Sequence, residues 1–323
     1  MPPLRRLLPL FAAIALLLSP LPALAADEDF ATWLVGMRQQ ALAAGIHPET
    51  VDRAFDGLEP IARVIELDRK QPEGTVTFAD YVTRVVDTKR RQAAHQHFIE
   101  NRALLTKIGR RYGVQPRFIV ALWGIETNFG QITGKFPVVA ALATLAYNGR
   151  RSAFFRDELI NALRISEQDH IDPKEMMGSW AGAMGQSQFM PSSFLRYAVS
   201  YRNDGKRDIW HRPEDVFASI ANYLSQSGWH GNEGWGRRVQ VPADFDPALV
   251  GLRTTKPLAM WAKLGVRGDG TKLPKRGPQA SLIQPDGPAG PSLLVYDNFR
   301  VLMKWNSSSY FAGSVGILAD SVQ

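Results

Sequence analysis

The sequence predicts a mainly α-helical (α+β) protein with one small β-rich region. Three observations carry this expectation. Apolar residues recur at three- and four-residue spacing, beginning with Phe30, Trp33, Leu34, Met37 and Ala41, which is the period of a helix with one buried face. Start and stop residues punctuate the pattern: Pro48, Pro116, Pro191 and Pro213 open segments, and Gly57 and Gly113 close them. Only from Gly231 to Gly290 does the chain become rich in Gly and Pro, with short β-like runs.

Taken in order, a helix begins at Asp29, and a short one from Pro48 carries Val51, Ala54 and Phe55. Gln71-Pro72-Glu73-Gly74 reads as a loop. Thr77 and Asp80 have the spacing of a capping box, with Asp in place of the preferred Glu. One long helical stretch is expected from there to about Arg111, stopped by Gly113. Pro116 opens the next helix, which is almost wholly apolar from Phe118 to Trp123. Further helices fit Val138 to Tyr147, Ser152 to Gln168, and Pro213 to Ser227, the last with Phe217, Ala218, Ile220, Ala221 and Leu224 towards the core. Strand-like runs follow at residues 238–241, 281–283 and 292–296. Helix returns over Asn298 to Lys304 and Ser308 to Val322.

The chain has 323 residues, 45% of them hydrophobic, enough for one large domain or two lobes. Residues 1–25 read as a targeting leader: Arg5 and Arg6, an apolar run from Leu7 to Leu18, the breakers Pro20 and Pro22, and a small-x-small site ending at Ala25. Cleavage there lowers the net charge from +7 to +5 and leads to an exported protein that is expected to be periplasmic, soluble and monomeric. The absence of cysteine excludes disulfides, thiolate metal sites, a cysteine nucleophile and a lipid-modified cysteine. A mildly basic exported protein suits an anionic cell-wall polymer or membrane surface. Export argues against a nucleic-acid partner, as does the lack of any like-charge run longer than Lys89-Arg90-Arg91. The six histidines show no zinc spacing, and His95 and His97 are expected to face solvent.

Two segments carry chemistry. Trp123-Gly124-Ile125-Glu126-Thr127-Asn128-Phe129-Gly130 sets one carboxyl group among Leu, Trp and Ile at the end of the apolar helix. Lost hydration favours the neutral form, as a general acid for a glycosidic bond requires. On this segment alone, the alternative is a helix-end glutamate pointing to water. The second segment is Gly182-Ala183-Met184-Gly185-Gln186-Ser187-Gln188-Phe189-Met190-Pro191-Ser192-Ser193. Its glycines permit close backbone approach, and Gln188 offers donor and acceptor to sugar hydroxyl or acetamido groups. A tight helix connection would look similar. A second carboxylate would have to come from Asp157, Glu158, Glu167, Asp169 or Asp172, which read as a solvated face.

Together the two segments resemble the lytic murein transglycosylases of the B type, glycoside hydrolase family 103. Ala141-Leu142-Ala143-Thr144-Leu145, Arg150-Arg151, the stretch from Ser219 to Leu224, Gly228-Trp229 and Asn306 extend the resemblance over nearly all of the chain after the leader. It implies a lysozyme-like core with an N-terminal α segment over residues 26–75 and a catalytic core over 76–230. A small β-rich lobe over 231–296 and C-terminal helices over 297–323 complete it. It implies cleavage of the β-1,4 bond between N-acetylmuramic acid (MurNAc) and N-acetylglucosamine (GlcNAc) in peptidoglycan strands, leaving a 1,6-anhydromuramoyl end. Cell-wall synthesis and division proteins are the other partners in view. The residue-level alternatives are a hydrolytic muramidase and a non-catalytic peptidoglycan-binding scaffold.

By the same resemblance Glu126 is the single acid and base, and Ser179, Gln188, Asn306, Tyr223 and Tyr81 line the muropeptide site. Tyr223 could equally be a helix core residue and Asn306 a helix cap. Arg150 and Arg151 match a paired arginine that would steer anionic stems, or form a plain basic surface pair. Trp305 and Phe311 stand where family members have Tyr, which keeps stacking and removes a hydroxyl hydrogen bond. Some members bind calcium in an EF-hand-like loop, here Ser200 to Trp210. Asp204 and Gly205 suit that loop, but Arg202, Lys206 and Arg207 oppose a dication. No tight calcium site, and no other cofactor, is therefore expected.

Overall fold

The computed structural model describes residues 29–70, 76–148, 150–270 and 272–322. The leader at 1–25 and the loop at 71–74 lie outside the described residues. Asp29 caps the first helix, α1 (Phe30–Ala43), by accepting from Thr32 N, and Trp33, Met37 and Ala41 form its buried face. α2 (Pro48–Phe55) follows as expected, and α3 (Ala62–Arg69) is a helix that the spacing did not reveal.

The long stretch expected from Thr77 to Arg111 is three helices: α4 (Phe78–Val85), α5 (Thr88–Glu100) and α6 (Arg102–Tyr112). Asp87 takes extended backbone and accepts from Arg90 N at 2.7 Å, which starts a new helix at the cost of continuing the old one. Asn101 leaves helical geometry and turns its Nδ2 back onto the His97 carbonyl at 2.9 Å. One straight helix of this length would be a rod of about 50 Å; the two breaks let the chain wrap the core instead. Gly113 does end the run, at φ 67°, a left-handed cap suited to glycine.

The core continues with α7 (Pro116–Thr127), α8 (Val138–Asn148), α9 (Ser152–Asp169), α10 (Pro191–Tyr197) and α11 (Pro213–Gln226). Residues 118–124 of α7 are all buried, so this helix is the central post rather than an amphipathic surface element. A two-stranded ladder pairs β1 (Phe136–Pro137) with β2 (Met177–Gly178), Phe136 opposite Gly178. Glu158 and Asp169 are not on a solvated face. Glu158 is 2% exposed and accepts from Ser192 N at 2.8 Å and Ser192 Oγ at 2.6 Å, holding the start of α10. Asp169 accepts two hydrogen bonds from the Arg207 guanidinium, at 3.0 and 2.6 Å. A carboxyl group this deep needs such hydrogen-bond partners, so both are committed to structure.

The β-rich lobe contains β3 (Gly236–Gln240), β4 (Lys256–Pro257), β5 (Arg267–Gly268), β6 (Gln279–Ile283) and β7 (Ser292–Val295) in the order β4-β6-β7-β3-β5, every neighbour antiparallel. It also holds a short helix, α12 (Leu258–Lys263), within the stretch expected to be mostly β; Trp261 anchors it by donating to the Ala280 carbonyl at 2.9 Å. Val239, Leu258, Trp261, Leu282 and Leu294 make a small core of their own. α13 (Asp297–Trp305) and α14 (Ser309–Asp320) then return to the main core, where α14 packs along α7. Among the described residues, no helix is long and apolar enough to cross a membrane.

Candidate active site

α7 ends in a sequence that must turn sharply. Asn128, Phe129 and Gly130 all have positive φ, at 49°, 58° and 80°. The turn is stabilised by Thr127, whose Oγ1 donates towards the Gln186 carbonyl at 3.0 Å and accepts from Gly130 N at 3.0 Å. This fixes Glu126 two residues before the turn, at the edge of the core.

Glu126 is partly open to solvent as a residue, yet its carboxyl group is wrapped by the core. Burial pushes its pKa up to about 7, against the opposing effect of one hydrogen bond. That bond comes from Trp305 Nε1, 2.6 Å from Glu126 Oε1, across 179 residues of sequence. The expected loss of a hydrogen bond with tyrosine is thus offset by an indole donor. The Trp305 ring rests between Tyr223, with centroids 4.6 Å apart, and Phe189, at 5.2 Å.

The Gly-rich segment wraps the other side. A Cβ on Gly134 would lie 1.9 Å from the Gly178 carbonyl oxygen, so β1 and β2 approach this closely only with glycine there. Ser179 Oγ accepts from Ala183 N at 3.0 Å and keeps its own hydrogen to donate. Gln188 sits at φ 50° and spends its Nε2 on the Thr133 and Gly185 carbonyls, at 3.0 and 2.8 Å, leaving its Oε1 as an acceptor. Tyr81 is half-buried and senses Glu126: burial first, and then the nearby negative charge, push its hydroxyl pKa up. Glu126, Trp305, Phe189, Gln188 and the Ser179 turn form one continuous neighbourhood, and Tyr81 is close enough to feel the Glu126 charge.

Four residues expected at the site, Tyr223, Asn306, Arg150 and Arg151, stand differently. Tyr223 is 8% exposed and donates its hydroxyl to the Lys304 carbonyl at 2.7 Å, so it buttresses Trp305 rather than offering a free ring face. Asn306 is exposed and ends α13, its Oδ1 accepting from Ser308 N at 3.0 Å. Arg150 donates to the Asp68 carbonyl at 3.3 Å, and Arg151 lies over the Phe155 ring at 5.1 Å, so their partners are on α3 and α9. His97 is not a free surface residue: its ring packs 5.1 Å from Trp123 and 4.8 Å from Phe129, with Glu100 beside it.

In the loop from Ser200 to Trp210 the acidic side chains already have partners. Asp204 Oδ1 accepts from Ser200 Oγ and Lys206 N, and its Oδ2 pairs with Arg212 at 2.7 Å. Arg202 is paired with Glu214. Asp215 accepts from the backbone of Tyr201 and Asp208. The acidic oxygens are taken by cations and backbone amides, and this donor set does not fit a dication. Among the described residues, no group of three or more His, Asp or Glu side chains is placed to hold a metal ion.

Residues 29–320 match the transglycosylase SLT domain. The chain belongs to that family. It is 36% identical over 224 residues to membrane-bound lytic murein transglycosylase B of Escherichia coli, an alignment covering 68% of this chain and 60% of that protein. The chain therefore aligns with less than two thirds of that relative's length. SltB3 from Pseudomonas aeruginosa, solved with NAG-NAM-pentapeptide and with NAG-anhNAM-pentapeptide, superposes with a TM-score of 0.88 at 44% identity over 91% of this chain and 80% of that one. The E. coli lytic transglycosylase Slt35, solved in complex with calcium, matches at a TM-score of 0.76 and 28% identity, over 90% of this chain and 92% of its own. Among these SLT-family proteins the mostly helical, lysozyme-like architecture with its small sheet is shared.

Proposed function

We propose that this chain is a lytic transglycosylase that cleaves the β-1,4 MurNAc–GlcNAc bond of peptidoglycan without consuming water. The observation that carries the reading is Glu126: one carboxyl group with a pKa near 7, held by Trp305, while Glu158 and Asp169 are committed to structure. The SltB3 ligands support it, since NAG-NAM and NAG-anhNAM differ as substrate and anhydro product would.

Neutral Glu126 donates its proton to the departing O4 of GlcNAc as the C1–O4 bond breaks. The muramoyl N-acetyl oxygen supports the electron-poor C1, taking the place of a second carboxylate. Ionised Glu126 then accepts the proton of the muramoyl C6 hydroxyl while O6 bonds to C1. The proton count closes on the same residue. A pKa near 7 leaves both forms populated near neutral pH, as alternating acid and base roles demand.

Ser179, Gln188 and Asn306 are proposed to bind sugar and acetamido groups, with Tyr81 across the cleft and Tyr223 acting through Trp305. Arg150 and Arg151 are assigned to peptide stems, and the leader of residues 1–25 supports a periplasmic location. No tight calcium site is proposed in the Asp204 loop, in contrast to the Slt35 structure solved with calcium. Mass spectrometry of products from purified sacculi tests the reading. Anhydro ends from the wild type and none from Glu126→Gln are expected; reducing ends would make the protein a hydrolase, and sacculus binding without release would make it a scaffold.

A further inference from the structure

We propose that Trp305 is a positioning residue that confines the exchangeable proton of Glu126 to Oε2. The inference rests on the acid and base role given to Glu126 above. An indole N–H can only donate. It meets Glu126 Oε1 at 2.6 Å, and in the neutral acid the better acceptor is the carbonyl oxygen, not the hydroxyl oxygen. The hydroxyl hydrogen therefore sits on Oε2. When Glu126 ionises, the same bond becomes charge-assisted and stronger, so Trp305 also restrains the rise in proton affinity that burial causes. A tyrosine in its place could rotate its hydroxyl and accept from a protonated Oε1, and would leave the proton free to occupy either oxygen.

The indole is held in this direction. Its ring packs on Tyr223 and Phe189, and Tyr223 is tied to the Lys304 carbonyl immediately before Trp305. The other groups around Glu126 do not supply an equivalent donor. Tyr81 of α4 faces it through space, with Arg90 of α5 nearby and bonded to Val85 O and Asn128. Tyr310 of α14 packs on Tyr81 and donates to Asp286. His97 of α5 contacts Trp123, and Lys304 of α13 sends its Nζ to the Ser227 carbonyl. Among the described residues, no charged side chain pairs with Glu126.

The indole proton is itself the reporter. In the folded protein labelled with nitrogen-15, the Trp305 Nε1–H resonance, identified by its loss in Trp305→Phe, is expected to titrate with a midpoint near neutral pH. In Glu126→Gln it stays fixed. This readout needs no turnover, so a wild type that releases no muropeptides defeats the functional reading and leaves the indole result intact. On sacculi, Trp305→Phe is expected to lower kcat more than it changes KM and to move the pH above which activity falls upward by about one unit. Trp305→Tyr, which keeps a donor, brings that pH back towards wild type. An indole resonance that ignores pH, a Trp305→Phe enzyme with uniform loss and an unmoved pH limb, or a Trp305→Tyr limb displaced as far as in Trp305→Phe, would each overturn the proposal.

Discussion

Trp123 Nε1 donates to Gln186 Oε1 at 2.8 Å, and the Nε2 of the same amide donates to the Trp210 carbonyl at 2.7 Å. Trp123 lies three residues, just under one helical turn, before Glu126. Gln186 therefore couples the wall behind the acid to the Gly-rich segment on one side and to the Trp210 turn on the other.

Gln186→Ala strands both the indole donor and the carbonyl acceptor in a half-buried place. A loss of about 1–3 kcal/mol in unfolding free energy is expected, read from urea denaturation. Below the unfolding midpoint, kcat on sacculi should fall roughly tenfold with binding retained, because the turn that orients Glu126 loosens. Wild-type kcat in a measurably destabilised variant would show that the clamp serves folding alone.

Glu126 also links stability to pH. Its folded pKa of about 7 lies above the usual carboxylate value, so between about pH 4.5 and 7 the native state binds more protons than the unfolded chain. Stability contributed by the neutral acid is full below that window and is lost as pH rises through it. Glu126→Gln cannot ionise. The variant should match the wild type near pH 4 and exceed it by about 1–3 kcal/mol at pH 8. Parallel stability curves for the two proteins across this range would contradict a raised pKa.

Much of this was legible in the chain because it is local. The apolar run from Phe118 to Trp123 announced a buried helix with Glu126 at its end, and the glycines of the 182–185 turn announced close approach. The breaks at Asp87 and Asn101 were visible as capping residue types, but the apolar spacing ran through them and masked the stops. α3 and α12 are short and draw their stability from tertiary packing, against α8 in one case and through Trp261 in the other. The Trp305 bond joins residues 179 apart, and nothing in either neighbourhood specifies the other. The burial of Glu158 and Asp169 depended in the same way on distant partners, Ser192 and Arg207.

The Asp204 loop makes a thermal prediction. With Arg212 and Lys206 N already on the Asp204 carboxylate, a calcium ion would have to displace a cation and backbone donors without gaining a full oxygen cage. Millimolar calcium should leave the melting temperature unchanged, as should a chelator. A calcium-dependent rise abolished by Asp204→Ala would place an ion there after all.

Gly134→Ala probes the backbone contact beneath the site. Gly134 has φ 97°, and its added Cβ would meet the Gly178 carbonyl oxygen at 1.9 Å and Ser179 N at 2.6 Å. These are main-chain atoms of β2 and of the residue that follows it, so no side chain can rotate aside. Relief requires the β1–β2 pairing to open, which moves Ser179 away from the loop that supplies the Thr133 carbonyl to Gln188. The variant should lose at least about 2 kcal/mol of stability. Its amide protons at Val138 and Ser179, bonded to the Met176 and Ala183 carbonyls, should exchange faster than those inside α7. By contrast, Gly205→Ala adds a Cβ that meets nothing within 4 Å and carries only the strain of φ 79°. It should cost about 1 kcal/mol and leave activity intact. Equal losses in the two variants would mean that positive φ alone, and not the contact between 134 and 178, accounts for the effect.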